Sequence, residues 1–505
     1  MQVSNRAFVS IASNAVRAGL SFTTGMILAR GLGPDEYGVF AFLLSSFTAL
    51  RGLLDMGTSQ AFFTFISKVK KPGKFISTYA LWVFLQFIIS FGFIYLIAPD
   101  SWINEIWLGE SRSIVTIAFV AVFCQLILWE TISYIGESER QTLTVQLLAI
   151  LVALIYFSIV LVMFLLETLS IQYVFFAMIL GYLTSIILGK KLLKINFSQD
   201  SEAISTKELI KKYWEYIKPL ILYAWLGVAL PFFDTWLLQK FGGSVEQAYY
   251  SVGYQIAAIT YLLANAVLPI YWKEVSEAQE NHKYERVEYL NHKATRVLFF
   301  LASALACFLL PWTDLIIKII LGSEYIEGSL VLMIMLFYPI HQSINQINNS
   351  SYYALEMTRP YVAIGTIVSL LSIAASFFVL APSDYFIPGL DMGSKGLAIK
   401  MVILQMSGYN FSMWYLYKVN GWTYRPFFQL SLLVYIVLSL MIHNGLLLIL
   451  GESTSEFLIF LPNVLIYSTI VFLLMRYMPI ITGLSDKEVF NYVGRLYNLR
   501  GDNAI

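Results

Sequence analysis

About fourteen apolar runs, each near the ~20 residues an α-helix needs to cross a bilayer, dominate this chain. The first six lie near 8–30, 36–66, 75–98, 112–135, 141–166 and 172–193. Six more lie near 219–240, 247–272, 294–320, 329–354, 360–381 and 395–417, and a last pair near 427–450 and 456–478. Within lipid every backbone polar group must be satisfied internally, so long continuous runs mean helices. A β-barrel is excluded, because it needs short alternating segments. Hydrophobic residues make up 58% and charged residues 13%, against roughly 25% charged in a soluble domain. The expected fold is therefore an all-α polytopic membrane protein of about fourteen transmembrane helices.

The soluble parts are small. Segment 194–218 is polar and holds a capping pattern, S-T-K-E from Ser205, before an amphipathic stretch with Tyr213, Trp214 and Tyr216 beside Lys211, Lys212 and Lys218. The tail 481–505 repeats the device with Ser485 and Glu488. Segment 273–293 is densely charged and reads as solvated extensions of two helices. Most of the 33 Lys and Arg residues fall on one side, as in KVKKPGK (68–74). Six, Arg30, Arg112, Lys240, Lys318, Lys395 and Lys400, fall on the other. The positive-inside rule then puts both termini in the cytoplasm. The first run carries Arg17 and ends in ARGLGP, so it reads as a retained span and not a cleaved signal. The two cysteines, Cys124 and Cys307, lie inside apolar runs and read as small buried hydrophobes, with no metal site implied. A net charge of +1 says nothing about partners, and no nucleic-acid partner is expected.

A shift of 210 residues brings the opening hairpin back. ARGLGPDEYGVF (29–40) aligns with QKFGGSVEQAYY (239–250), matching Arg30 to Lys240, Gly33 to Gly243 and Glu36 to Glu246. Six spans separate the copies, so both start on the same side and the repeat is parallel. The expected organisation is an N-lobe over 1–193, a cytoplasmic linker over 194–218, a C-lobe over 219–418, two extra spans over 419–480 and a cytoplasmic tail over 481–505. The two six-helix lobes should be pseudo-symmetric around a central cavity.

Polar residues recur at helical spacing inside these runs. Ser10, Asn14, Arg17, Ser21 and Thr24 share a face of the first span. Thr48, Arg51, Asp55 and Thr58 form a stripe in the second, and Tyr254, Ala258, Tyr261 and Asn265 in the eighth. In the seventh, Gly227, Pro231 and Asp234 share a face, and Pro231 is expected to kink it. The tenth span carries HQSINQINNSSYY (341–353), which includes His341 and Asn345. An intramembrane charge costs roughly 2.5–3.5 kcal/mol on insertion scales, so such residues usually face protein or water. Guanidinium groups suit bidentate binding of phosphate or carboxylate, so Arg17 and Arg51 point to an anionic head group, with Tyr254, Tyr261 and the tenth-span amides available to a glycan. Arg30 and Lys240 stand at the outer mouth, and with His341 and Asn345 they are the candidate mouth or coupling residues. The competing account has Arg51 and Asp55 neutralising each other at i,i+4, at about 4 kcal/mol for an effective dielectric near 20. Asp234 is either a coupling-ion carboxylate or an arginine partner. His341 and His443 read as packing histidines, and Gln60 and Glu130 as residues at the membrane edge.

No catalytic pattern is present: there is no GxxxxGK[ST] loop, no HExxH and no DxD pair. The reading is a transporter and not an enzyme, without cofactor, driven by H⁺, Na⁺ or the membrane potential.

Four stretches, ARGLGPDEYGVF (29–40), YYSVGY (249–254), LGSEYIEGS (321–329) and YYALEMTRP (352–360), give the chain a family resemblance over about its first 415 residues. It resembles the polysaccharide-transporter flippases for O-antigen or capsular repeat units, within the multidrug/oligosaccharidyl-lipid/polysaccharide superfamily. The resemblance implies translocation of undecaprenyl-pyrophosphate-linked oligosaccharide from the cytoplasmic to the periplasmic leaflet of a bacterial inner membrane. It also implies two lobes opening alternately, Arg17 and Arg51 lining the cavity, and glycan polymerase or assembly proteins as partners beside the bilayer and the lipid-linked glycan. Fourteen-span members, such as the lipid II flippases, fit the two final spans. The rivals are an ion-coupled drug or metabolite antiporter of the same superfamily, a membrane-embedded glycan enzyme and a scaffold of a glycan-assembly complex.

Overall fold

The computed structural model describes residues 3–68, 73–193, 206–218, 221–451 and 455–478, without the side chains of 3–8, 11, 206, 222–224, 226, 228–230, 262–267 and 269–270. Lys70 and Lys71 of the basic turn, the Ser205 cap, the tail with Ser485 and Glu488, and the Asn265 side chain lie outside what is described. The described residues are mostly helical, with no strand among them.

Helices α1 (Val3–Asp55), α2 (Thr58–Ile66), α3 (Gly73–Gly92), α4 (Asp100–Ile106), α5 (Arg112–Phe123), α6 (Trp129–Ser138), α7 (Thr142–Leu165), α8 (Ile171–Leu192) and α9 (Thr206–Ile217) build the first half. Then come α10 (Ile221–Ala257), α11 (Leu262–Glu280), α12 (Tyr284–Leu309), α13 (Thr313–Ile320), α14 (Ser329–Met335), α15 (Tyr338–Ala354), α16 (Thr358–Leu380), α17 (Gly393–Asn420), α18 (Ser431–Leu450) and α19 (Glu456–Tyr477). Ten helical stretches among the described residues are long and apolar enough to cross a membrane. The chain packs as two compact units, Met1–Ala248 and Tyr249–Ile505.

In the first unit α1 is two helices in one. The backbone leaves helical geometry at Gly33, with φ 72° and ψ 171°, and restarts at Pro34. Only glycine takes that φ without a steric penalty, and proline suits the first helical turn that follows. The same break recurs in α10 at Gly243, with φ 80° and ψ −176°. These are the two positions matched by the 210-residue shift. Pro231 lies within helical backbone, and the break in α10 falls at Gly243, where a positive φ redirects the chain.

The far end of α1 is also irregular. The run expected to continue to residue 66 stops at Asp55, turns through Met56 and Gly57, and restarts as α2. A stop inside an apolar region strands backbone groups that lipid cannot satisfy. The buried Gln86 amide of α3 donates to the Leu54 carbonyl at 2.7 Å, and the Trp225 indole N–H of α10 donates to the Leu53 carbonyl at 3.1 Å. Asp55 serves the new helix: its carboxylate accepts from the Ser59 amide at 2.9 Å, the Gly57 amide at 3.2 Å and the Ser59 hydroxyl at 2.9 Å.

The early half of α10 runs antiparallel to the late half of α1. Trp225 meets Leu53, Thr235 Oγ1 meets Ser45 Oγ at 3.0 Å, and Ser244 Oγ donates to Asp35 at 3.2 Å. The residue numbers in each pair rise and fall in step, so one register holds along the contact. Gly38 makes the closest approach: a Cβ there would lie 1.8 Å from the Ser244 carbonyl oxygen.

The second unit is centred on α15, which packs on α11, α12 and α17. Asn291 donates to Ser351 at 2.7 Å and to Tyr271 at 3.1 Å, and accepts from the Tyr417 hydroxyl at 2.7 Å. Asn348 donates to Ser412 at 2.9 Å, and Tyr352 to the Ser412 carbonyl at 2.8 Å. Residues 273–293 become the ends of α11 and α12, where Arg286 pairs with Glu274 at 2.7 Å as a solvated corner. His443 packs edge-on against Trp312 at 4.9 Å.

Candidate functional site

The α1–α2 break aims the charges of the second apolar run. One turn before it, Arg51 reaches out of α1 to α6 and forms an ion pair with Glu130. The i,i+4 neutralisation of Arg51 by Asp55 is therefore overturned: Asp55 turns its oxygens to the start of α2. Glu130 is not an isolated edge residue but the arginine's partner. Its position 79 residues away hid the pairing from any helix-periodicity argument. Gln60, by contrast, is exposed.

The pair sits in a narrow polar pocket, with about 10 Å³ of accessible space, whose walls include Asp55, Ser59, Tyr79, Gln86 and Tyr134. These residues come from α1, α2, α3 and α6, all within the first unit. Arg51 and Glu130 keep 25% and 34% side-chain exposure, so solvent shares in compensating both charges.

Arg17 has a different environment. It is half-buried on α1 and donates to the Asn14 carboxamide oxygen at 2.6 Å. Asn14 is exposed, and Arg17 forms no ion pair among the described residues. Its Nε is buried with no hydrogen-bond partner. An orphaned guanidinium donor in an apolar span is expensive to keep, so it asks for an acceptor.

Arg30 and Lys240 are both exposed, each three residues before one of the glycine breaks, and Lys240 lies 4.6 Å over the Trp236 ring. Asp234 is buried in α10. In the second unit Tyr254 is 44% exposed and keeps company with Tyr250 and Tyr338 at ring separations of 6.5 and 5.9 Å. Tyr261 lies past the end of α10, in a 3-10 turn over Ala258–Tyr261, so the expected stripe through Tyr254, Ala258 and Tyr261 is rotated out of phase. The tenth-span polar run was expected to offer its amides to a glycan. Instead Asn348, Ser351 and Tyr352 are spent on α11, α12 and α17, and His341 is buried with Nε2 3.1 Å from Gln429. Asn345 remains half-buried on α15. Polar periodicity marks a face, and here that face meets other helices.

Among solved structures, the fold matches a lipid II flippase, MurJ, in an inward closed conformation, with a TM-score of 0.70 at 16% identity over 94% of this chain and 99% of that one. It also matches an inward-facing multidrug resistance MATE transporter of the MOP superfamily, with a TM-score of 0.64 at 13% identity over 81% of this chain and 99% of that one. Among curated proteins, a probable low-salt glycan biosynthesis flippase, Agl15, of Haloferax volcanii is 26% identical over 353 residues, 68% of this chain and 70% of that one. These relatives are described as flippases and transporters, not as catalysts. The profile of the family described as "Polysaccharide biosynthesis protein" matches residues 3–271, more than half of the chain. A multi-pass helical membrane protein with the MOP-superfamily fold, this chain belongs to the polysaccharide biosynthesis protein family.

Proposed function

We propose that this protein is a flippase for lipid-linked oligosaccharides. It takes an undecaprenyl-pyrophosphate-linked repeat unit from the cytoplasmic leaflet of a bacterial inner membrane and delivers it to the periplasmic leaflet, for O-antigen or related surface polysaccharide. The observation that carries the reading is Arg17, a half-buried guanidinium with an orphaned Nε and an exposed amide partner in an apolar span. A pyrophosphate supplies the fork-shaped acceptor that such a group lacks. Arg51 stands as a second cation, held by Glu130 until an anion competes for it. A glycan head finds the exposed Asn14 beside the arginine. The family match and the flippase-like fold support the same substrate class.

Transport proceeds by alternating access, driven by the membrane potential or an H⁺ or Na⁺ gradient, with Asp234 as the coupling carboxylate. Its partners are the bilayer, the lipid-linked glycan and the polymerase that consumes it.

The deciding experiment deletes the gene and asks which leaflet holds the lipid-linked glycan. Cytoplasmic accumulation with loss of surface polysaccharide is the expected result. Normal surface polysaccharide, in a strain without a redundant flippase, overturns the reading and favours the antiporter.

A further inference from the structure

The first unit contains a second cavity, of opposite character. It is a half-open groove of about 230 Å³ between the amphipathic helix α9 and the α1–α2–α3 corner. Its walls are Met56, Tyr79, Trp82, Ile210, Tyr213 and Trp214, relieved only by two threonines. Its volume lies just below the ~300–1,000 Å³ range of ligand sites, enough for part of a hydrocarbon chain. Apolar walls exclude water as the occupant, since a stable buried water needs polar partners.

The groove is held open deliberately. α9 is clamped to α2 on one side by Tyr213 and Tyr216, edge-on to Phe65 at 5.1 and 5.6 Å, and by the buried Leu209. On the groove side Ile210 and Trp214 stay 57% and 54% exposed. The Tyr213 hydroxyl is buried without a partner. Lys207, Lys211, Lys212 and Lys218 of the same segment are exposed beside Glu208 and Glu215, with Lys211 3.8 Å from Glu215, so the segment keeps an excess of positive charge. An apolar groove beside that charge fits an amphiphile with an anionic head and a long hydrocarbon chain.

Its location narrows the occupant further. Tyr79 lines both this groove and the polar pocket that holds Arg51. The two cavities meet at the α1–α2 break, where Asp55 lines the polar one and Met56 the apolar one. A bulk phospholipid has no use for that junction, whereas the lipid-linked substrate has a pyrophosphate and a chain to place on its two sides.

We infer that the α9 groove holds the membrane-proximal part of the substrate's polyprenyl chain while the head group is loaded. The inference rests on the flippase reading and adds to it a site for the tail. The test uses the full chain in phosphatidylcholine nanodiscs, with undecaprenyl diphosphate and inorganic pyrophosphate as probes. Thr78→Trp fills the groove and Ile210→Asp, on the exposed face of α9, charges its wall. Both should weaken undecaprenyl diphosphate about tenfold, the loss expected for roughly two buried methylenes, and leave inorganic pyrophosphate unchanged. A photo-crosslinking residue at Ile210 should capture the undecaprenyl chain and resist competition by phosphatidylglycerol. Unchanged undecaprenyl binding in Ile210→Asp, or capture abolished by phosphatidylglycerol, overturns the tail site and leaves the flippase reading standing. Failure of the unaltered protein to bind either probe removes the flippase reading, and the tail site with it.

Discussion

Arg51 and Glu130 are brought together from α1 and α6, and each makes the other tolerable inside an apolar region. Because both stay a quarter to a third exposed, solvent screening limits the pair to about 1 kcal/mol of coupling. A double-mutant cycle on Arg51→Gln and Glu130→Gln, read by thermal unfolding in detergent, should return a value of that order. A zero coupling would show that the two charges are solvated separately. Arg17 is expected to behave otherwise. Arg17→Ala should abolish glycan export at normal protein level with little change in thermal stability, because among the described residues the side chain forms one hydrogen bond, to Asn14. Arg17→Lys should restore export only in part, since an ammonium lacks the fork geometry. Full export by Arg17→Ala would remove this residue from substrate binding.

At the scale of elements, the irregularities are where the helices do their positioning. The break after Asp55 survives because Gln86 and Trp225 satisfy the Leu54 and Leu53 carbonyls. Gln86→Leu keeps the size and removes the donor, leaving a buried carbonyl unpaired at a cost of about 1–3 kcal/mol. The expected readout is a lowered unfolding temperature with the helical circular-dichroism signal retained. Gly38 is the tightest point between α1 and α10. Gly38→Ala must push the Ser244 backbone away, because no rotamer can relieve a clash between a Cβ and a carbonyl. It should impair transport more than Gly19→Ala, whose added Cβ meets nothing within 4 Å.

At the scale of the molecule, the α1–α10 register predicts which residues must part if transport involves separating these helices. Cysteines placed at Ser45 and Thr235, whose hydroxyls are 3.0 Å apart, should crosslink readily, and the bond should arrest glycan export until it is reduced. Export that continues with the crosslink closed would show that α1 and α10 move as one body.

Much of this was legible along the chain. Helix class, the hairpin ending at Gly33, its echo at Gly243, and the amphipathic α9 follow from apolar run length, from the demand of a tight turn for glycine, and from helical periodicity. These are local properties, and local properties are written in neighbouring residues. Span-level polarity was legible too, as the stripes through Arg17, Arg51 and the tenth span. Which way each stripe points was not. Asn348 and Ser351 look like cavity residues in sequence and are structural in the fold. Asp55 looks like the partner of Arg51 and is a helix cap, while the true partner lies on another helix. Two apolar walls become a groove only when α9 docks on α2. By itself the sequence determined that the chain is helical and membrane-spanning, because hydrophobic length and backbone hydrogen bonding leave lipid-embedded chains no alternative. The tertiary structure alone decided what each intramembrane polar group meets, because that depends on contacts between helices far apart in the chain.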